Sequence, residues 1–403
     1  MSDDAIDPLA LELNRDLNLA AAGEAQSRYT LGLWENEELA KVRIKVFNKH
    51  TASVNSCDVF CNDRFVLTAS DDHSVKLWDS RSGSLRRSYD ELHSMEISEG
   101  RPSHDGTRFV TCGWDKMVKF WDTENGTCLW KLGHGGVVMC CKLSHNGNLV
   151  CSGSDFDNSV KITDTRTGDI VHNLKAFYKS TVTSCVFSFD DCKVISTSMD
   201  RTTKFFDLRS ATNTISLGGH INVISGCAIT QNERNFATCS WDKSVQLWDI
   251  STGMYRANGP ISLKGSHEGS ISCCNFSSDG LMLVTGSFDN CIVVWDSDNH
   301  VTKLKLQGHT NWVNDVKFTD DQKWLISCSK DKTVRMWNIE DSDKIPAVLE
   351  NRKSIGLKVI SCTRCKKPFS MSQVDNFREL ALCVFCRLQN PEKSWLSLEE
   401  SDT

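Results

Sequence analysis

The sequence predicts an all-β fold: a seven-bladed β-propeller closed by an N-terminal strand and followed by a small four-cysteine module. Three observations carry the prediction. A strand-ending position recurs at Trp78, Trp121, Thr163, Phe206, Trp248, Trp295 and Trp337, at spacings of 43, 42, 43, 42, 47 and 42 residues. Six residues before each stands an aspartate: Asp72, Asp115, Asp157, Asp200, Asp242, Asp289 and Asp331. A histidine precedes the aspartate by 22 residues at His50, His93, His220, His267 and His309, and by 23 at His134, where Ser154-Asp155-Phe156-Asp157 carries one extra residue. The fourth repeat places Tyr178 there instead. A unit of this length holds four short strands, and such a unit buries both faces only when neighbours stack against it in a ring.

Inside each unit the pattern is that of strands. Residues 238–248, Thr-Cys-Ser-Trp-Asp-Lys-Ser-Val-Gln-Leu-Trp, give a short strand, a polar turn and a second strand rich in β-branched and aromatic residues. Residues 309–318 supply the apolar strand that precedes such a pair. Gly219-His220…Trp248-Asp249 and Gly308-His309…Trp337-Asn338 resemble the Gly-His and Trp-Asp marks of the WD40 repeat family, and the resemblance covers residues 42–338.

The resemblance implies a repeat offset from the blade, so that the first segment supplies the outer strand of the last blade. Val42–Phe47 is one lone strand before His50, and it is expected to close the ring on the seventh blade. The resemblance also implies a buried network in each blade joining the histidine, the aspartate, a serine or threonine, and the tryptophan. Its members are His50, Asp72 and Trp78; His93, Asp115 and Trp121; His134 and Asp157; Asp200; His220, Asp242 and Trp248; His267, Asp289 and Trp295; and His309, Asp331 and Trp337. Ser, His and Asp together also suit a nucleophilic triad, but copies in one register around a ring argue for structure, since buried polar groups must be satisfied. Blades three and four lack the tryptophan (Thr163, Phe206), so their networks are expected to be incomplete and the least stable. Blade two reads Gly100-Arg101-Pro102 where blade four has Cys185-Val186-Phe187. Either this strand is bulged, or Arg101 reaches the channel or a partner; the bulge is the expectation, because proline tends to mark irregular strands.

Binding is expected where the repeats differ. The residue before each blade aspartate reads Asp71, Trp114, Phe156, Met199, Trp241, Phe288 and Lys330, so five consecutive blades present a large apolar side chain. The resemblance places this turn on the top face near the channel mouth. An exposed apolar arc there, extended by Trp312, is expected to dock proteins or peptides, against the alternative that the rings cap their own blades.

After the propeller, Cys362-Thr-Arg-Cys365 and Cys383-Val-Phe-Cys386 form two C-x2-C pairs with seventeen residues between them. Two such knuckles make a tetrahedral four-thiolate site, predicted to hold one structural Zn2+; a redox pair and a rubredoxin-like iron site are the alternatives. The last histidine is His309, so a second zinc in the tail lacks ligands. The expected organisation is an acidic, mostly disordered segment over 1–41, a propeller over 42–340, a linker over 341–357, a zinc module over 358–390 and an acidic disordered end over 391–403. Residues 1–41 carry nine acidic and three basic side chains, residues 344–387 nine basic and three acidic. The acidic start is free to fold onto the basic tail.

Composition bounds the function. Hydrophobic residues at 39% and charged residues at 24% are those of an ordinary globular chain, and no apolar run is long enough to span a bilayer. Nineteen cysteines without a secretory signal point to a reducing intracellular compartment, with the fifteen from Cys57 to Cys328 expected as buried core. The prediction is a non-enzymatic protein-interaction scaffold, monomeric on its own, with other proteins or peptides as partners and no membrane. Nucleic-acid binding through the basic cysteine module is the second reading.

Overall fold

The computed structural model describes residues 29–34, 37–175, 177–250, 259–340, 359–361, 364 and 368–370, with side chains from Val42 onward in the propeller. Among these residues every regular element is a strand, and no helix is long and apolar enough to cross a membrane. Six four-stranded antiparallel blades follow in chain order, from Val54–Tyr89 for blade one to Ile271–Gln307 for blade six. Blade seven supplies three strands of its own, Val313–Phe318, Trp324–Ser329 and Val334–Asn338. Its fourth comes from the other end of the chain: Glu37–Phe47 pairs antiparallel with Val334–Asn338, Ile44 opposite Trp337 and Phe47 opposite Val334. The ring therefore closes as the repeat offset requires.

The closing strand is longer than its sequence suggested, and it is not alone. It begins at Glu37, and a further strand, Tyr29–Trp34, pairs with it and meets the outer strand of blade six at Leu33 opposite Gln307 and Trp34 opposite Leu306. Residues 29–34 and 37–41 thus depart from the disordered reading of 1–41. The alternation of Leu31 and Leu33 is a weak strand signal, and the unpaired edges of blades six and seven provide backbone partners for it. Residues 1–28 lie outside the described part.

All seven innermost strands bulge at the same place, their second residue falling outside the ladder: Asn55, Ser98, Met139, Thr183, Ser225, Ser272 and Asn314. The bulge of blade two is thus the common one, at Ser98 and not at Arg101-Pro102, which pair regularly with Val110 and Phe109. Five of the seven freed side chains donate to the next blade: Asn55 to the Ile97 carbonyl (2.8 Å), Thr183 to Ile224 (2.7 Å), Ser225 to Ile271 (2.6 Å), Ser272 to Val313 (2.5 Å) and Asn314 to Val54 (2.8 Å). Met139 has no donor, and the buried Ser98 hydroxyl finds no partner. Both seams of blade three lack this bond.

Between blades the core is apolar and close-packed, with Trp78, Trp337, Phe47, Phe109, Phe120, Phe205 and Phe236 fully buried. Of the fifteen cysteines from Cys57 to Cys328, twelve are buried in it, Cys61 and Cys192 are half-buried, and Cys128 is exposed; all are free thiols.

Candidate functional site

The blade networks come first, because they fix the faces of the ring. In blade one His50 Nδ1 lies 2.8 Å from Asp72, its Nε2 2.8 Å from the Thr68 hydroxyl, and Trp78 Nε1 donates to that hydroxyl at 2.9 Å. The same chain recurs in blades two, five, six and seven, His93, His220, His267 and His309 standing 2.8, 2.9, 3.0 and 2.8 Å from Asp115, Asp242, Asp289 and Asp331. Trp121, Trp248, Trp295 and Trp337 each donate to the matching hydroxyl. With Nδ1–H facing the carboxylate, Nε2 is left to accept from the hydroxyl, so every member is satisfied and none is free for chemistry. Burial alone would raise Asp115, but His93 and Lys119 hold its carboxyl down to about 2.

Blades three and four differ from the others and from each other. In blade three His134 reaches Ser152 at 2.9 Å, but its Nδ1 and the Thr163 hydroxyl have no partner. In blade four the Tyr178 hydroxyl takes over, donating to the Ser196 carbonyl at 2.5 Å and accepting from the Lys204 amide at 3.1 Å, while Asp200 accepts from Thr202. The incomplete network is therefore that of blade three; blade four is rebuilt around a phenol.

This arrangement sets a pH dependence. Burial, and then Lys161, push His134 down to about 4, and burial also lowers His93, His220 and His309. An unfolded chain takes up these protons below about pH 6.5 and the folded chain does not, so stability is full above that pH and drains as pH falls toward 4. His134 alone accounts for about 3 kcal/mol of that loss. Urea titrations at pH 7, 5.5 and 4 check this, and a flat profile contradicts it.

The blade histidines and aspartates define an upper face. Each turn residue there is pinned by a backbone bond to the loop before its own inner strand, as Trp241 is to Val223 and Phe288 to Ser270. In blade three the extra residue puts Asp155 in that position, bonded to Val137. Phe156 is pushed outward and is 82% exposed; Trp114 is 50% exposed, Trp312 43% and Trp241 37%, while Met199 and Phe288 are half-buried. Phe288 lies 4.7 Å from Trp312, stacked on it, and 6.4 Å from Trp241. Lys330 Nζ sits 4.2 Å from the Trp312 ring. The expected arc over five blades is thus a continuous shelf over blades five to seven, and no ring contact joins Trp114 or Phe156 to it among the described residues.

The channel holds Arg101, as the second of the two readings of blade two allowed, in a charged cluster that the sequence reading did not foresee. Arg101, 5% exposed, points inward from blade two and bonds to Glu99 (2.8 Å), the Cys57 carbonyl (2.9 Å), Asp58 (3.1 Å) and Asp315 of blade seven (2.6 Å). Lys142 of blade three reaches Glu99 at 2.7 Å, and Lys317 of blade seven lies 3.6 Å from Asp58. Three cations thus face three carboxylates across blades seven, one, two and three. Burial disfavours the charge on Arg101, but Asp315, Glu99 and Asp58 outweigh it and keep the guanidinium protonated. Glu99, which burial would raise, is held at about 2 by Lys142 and Arg101. The expected bulge at Arg101 is replaced by this hub.

The WD domain, G-beta repeat family profile matches residues 41–79, 91–122, 126–164, 168–207, 211–249, 260–296 and 300–338. The chain belongs to the WD40 repeat family. It is similar to WD repeat-containing protein 88 of Homo sapiens, 36% identical over 95% of this chain and 82% of that protein. It is also similar to two Dictyostelium discoideum proteins. One is the serine-threonine kinase receptor-associated protein, 32% identical over 62% of this chain and 83% of the relative. The other is the U5 small nuclear ribonucleoprotein 40 kDa protein, 27% identical over 72% and 83%. WD40 propellers generally act as protein-interaction scaffolds, and these two relatives are named for the complex or receptor they accompany. The cysteines predicted to bind zinc, Cys362, Cys365, Cys383 and Cys386, lie outside the described residues. Among the described residues, no group of ligating side chains suited to a metal occurs.

Proposed function

We propose that this WD40 chain is a scaffold, not an enzyme, whose upper face docks partner proteins or peptides. The observation that supports it is the shelf formed by Trp241, Phe288 and Trp312 with Lys330 beside it, contiguous across three blades and open to solvent. Large rings held rigidly by pinned turns lose little entropy on binding, and tryptophan-rich patches of this kind anchor interfaces. Trp114 and the outward Phe156 offer separate anchor points on the same face.

In this reading Cys362, Cys365, Cys383 and Cys386 hold one Zn2+. Strands Val359–Ser361 and Pro368–Ser370 pair as an antiparallel hairpin, and the first C-x2-C falls between them in the sequence, which supports a knuckle there. Four thiolates leave no open coordination position, so the metal's part is to hold a small domain together. The free thiols of the propeller suit a reducing interior of the cell.

Comparative affinity capture tests the scaffold reading with three folded baits: wild type, Trp114→Ser/Trp241→Ser/Phe288→Ser, and Cys383→Ser/Cys386→Ser. Partners are expected to vanish with the triple variant, and elemental analysis is expected to find one zinc per chain in wild type and none in the cysteine variant. Partners lost only with the cysteine variant would move the working surface to the tail.

A further inference from the structure

The inner strands enclose a cavity of about 1050 Å³ whose lining runs down to the turns between the first and second strands of the blades, on the face opposite the tryptophan shelf. Its walls are unequal. Blades seven, one, two and three line it with the ion cluster around Arg101; blades four to six offer Ser184, Gly226, Ala228 and Asn275. At the mouth, three exposed rings from successive blades form a row, His104 lying 5.0 Å from His145 and His145 4.6 Å from Phe189.

The mouth is also negative. Its seven turns (61–64, 103–107, 144–148, 188–192, 230–234, 277–281 and 319–323) carry eight carboxylates against Arg64, Arg234 and Lys323. Three of the acids serve the ring itself: Asp63 accepts from the Asp320 and Asp321 amides, Asp191 from His145 and Asn146, and Glu233 from Asp190. Asp320 is exposed, lines the cavity, and has no side-chain partner among the described residues. Partial burial of the carboxyl, and then the neighbouring Asp58 and Asp321, raise it above the usual range against the opposing pull of His104 and Lys317.

The chain itself leaves the ring here. Ile339 donates to the Lys323 carbonyl at 2.8 Å, in the lower turn of blade seven beside Asp320, and Glu340 pairs with Lys323 at 3.4 Å. Beyond Glu340 runs the basic stretch, nine positive and three negative side chains over 344–387, with Arg364, Lys366 and Lys367 some 25 residues from that exit. We propose that the lower channel mouth docks the chain's own basic tail, the Arg and Lys side chains of residues 364–367 against Asp320 and Asp105, with a guanidinium over the His104–His145–Phe189 row. Guanidinium stacks on such rings and pairs with carboxylates. Some 24 residues would have, as a coil, a root-mean-square span of about 25–30 Å and would place the tail at roughly millimolar effective concentration, so modest charge attraction suffices.

Zero-length carbodiimide cross-linking of the full chain, mapped by mass spectrometry, tests this at 50 mM and 500 mM salt. Lys366 or Lys367 is expected to link to Asp105, Asp320 or Asp321 within one chain, at least fivefold more at the lower salt. Hydrogen exchange at amides 103–107 and 319–321 should speed up several-fold in Lys366→Glu/Lys367→Glu and slow again when Asp320→Lys is added to it. Tail links to the acidic residues of 1–28, to upper-face carboxylates, or only between differently labelled copies would overturn the assignment. So would exchange at the mouth that ignores the charge reversal.

Discussion

Replacing Arg101 with methionine should cost this protein about 3–5 kcal/mol, as expected for removing one partner from a buried ion cluster. The substitution keeps much of the side-chain volume but leaves Glu99, Asp58 and Asp315 facing only Lys142 and Lys317. It also frees the Cys57 carbonyl, and it severs the direct link between blades two and seven. Arg101→Lys should fall between, because a single ammonium replaces a fork that serves four acceptors. The signature is in the pH dependence. In wild type Glu99 has a depressed pKa, so its contribution is complete above about 4.5 and drains as pH falls toward 2. The variant keeps the part of that contribution that Lys142 supplies and loses the part that Arg101 supplies, so the gap between the two proteins narrows in acid. Urea titrations of both at pH 7 and pH 4 check it; a gap that stays constant would mean that Arg101 acts by packing alone.

The same residue shows where sequence reasoning ran out. The ring, the register and the blade networks were legible because each rests on contacts inside one repeat, where the period of the sequence is the period of the structure. Arg101 works between repeats, and its partners lie in blades one and seven as well as its own. A signal did exist: the positions eight after each blade histidine, or after Tyr178, read Asp58, Arg101, Lys142, Val186, Ala228, Asn275 and Lys317, and four charges in one inward-facing column imply neighbours that neutralise one another. The position five after each blade histidine, or after Tyr178, is where the inter-blade bonds arise: Asn55, Ser98, Met139, Thr183, Ser225, Ser272 and Asn314. Six of those seven are small and polar where a strand core would be apolar, and Met139 marks one of the two seams that lack the bond.

Blade three gathers the exceptions. Its His134 is half-satisfied, both its seams lack the bulge-residue bond, and its extra residue turns Phe156 outward. Its neighbours compensate from outside: Glu99 accepts from the Cys141 amide at 2.8 Å, and Asp191 caps the turn amides of His145 and Asn146. The upper-face arc was only partly legible for a related reason. Sequence register equated Phe156 with Trp241, whereas the insertion gives the equivalent place to Asp155, and the stacking of Phe288 on Trp312 joins residues from different blades.

Removing the closing strand should be still more damaging than losing Arg101. Deletion of residues 1–47 strips blade seven of Val42, Ile44 and Phe47, all buried, and of the ladder from Ile44 to Phe47. At about 2 kcal/mol for each buried side chain and about 1 kcal/mol for each of some four ladder bonds, the loss is roughly 10 kcal/mol, comparable with the whole stability of a typical domain. Phe47 concentrates the effect, since its ring packs 5.3 Å from Trp78 and so joins blade seven to blade one across the closure. Phe47→Ala should therefore cost about 3–5 kcal/mol. The two variants separate closure from packing. Phe47→Ala should still unfold in one cooperative transition at lower denaturant. The deletion should lose its cooperative transition and, with the edge of Val334–Asn338 unpaired, associate through it. Size-exclusion profiles and urea titrations read both; a truncated chain that stays monomeric with an unchanged midpoint would mean that three strands of blade seven suffice to close the ring.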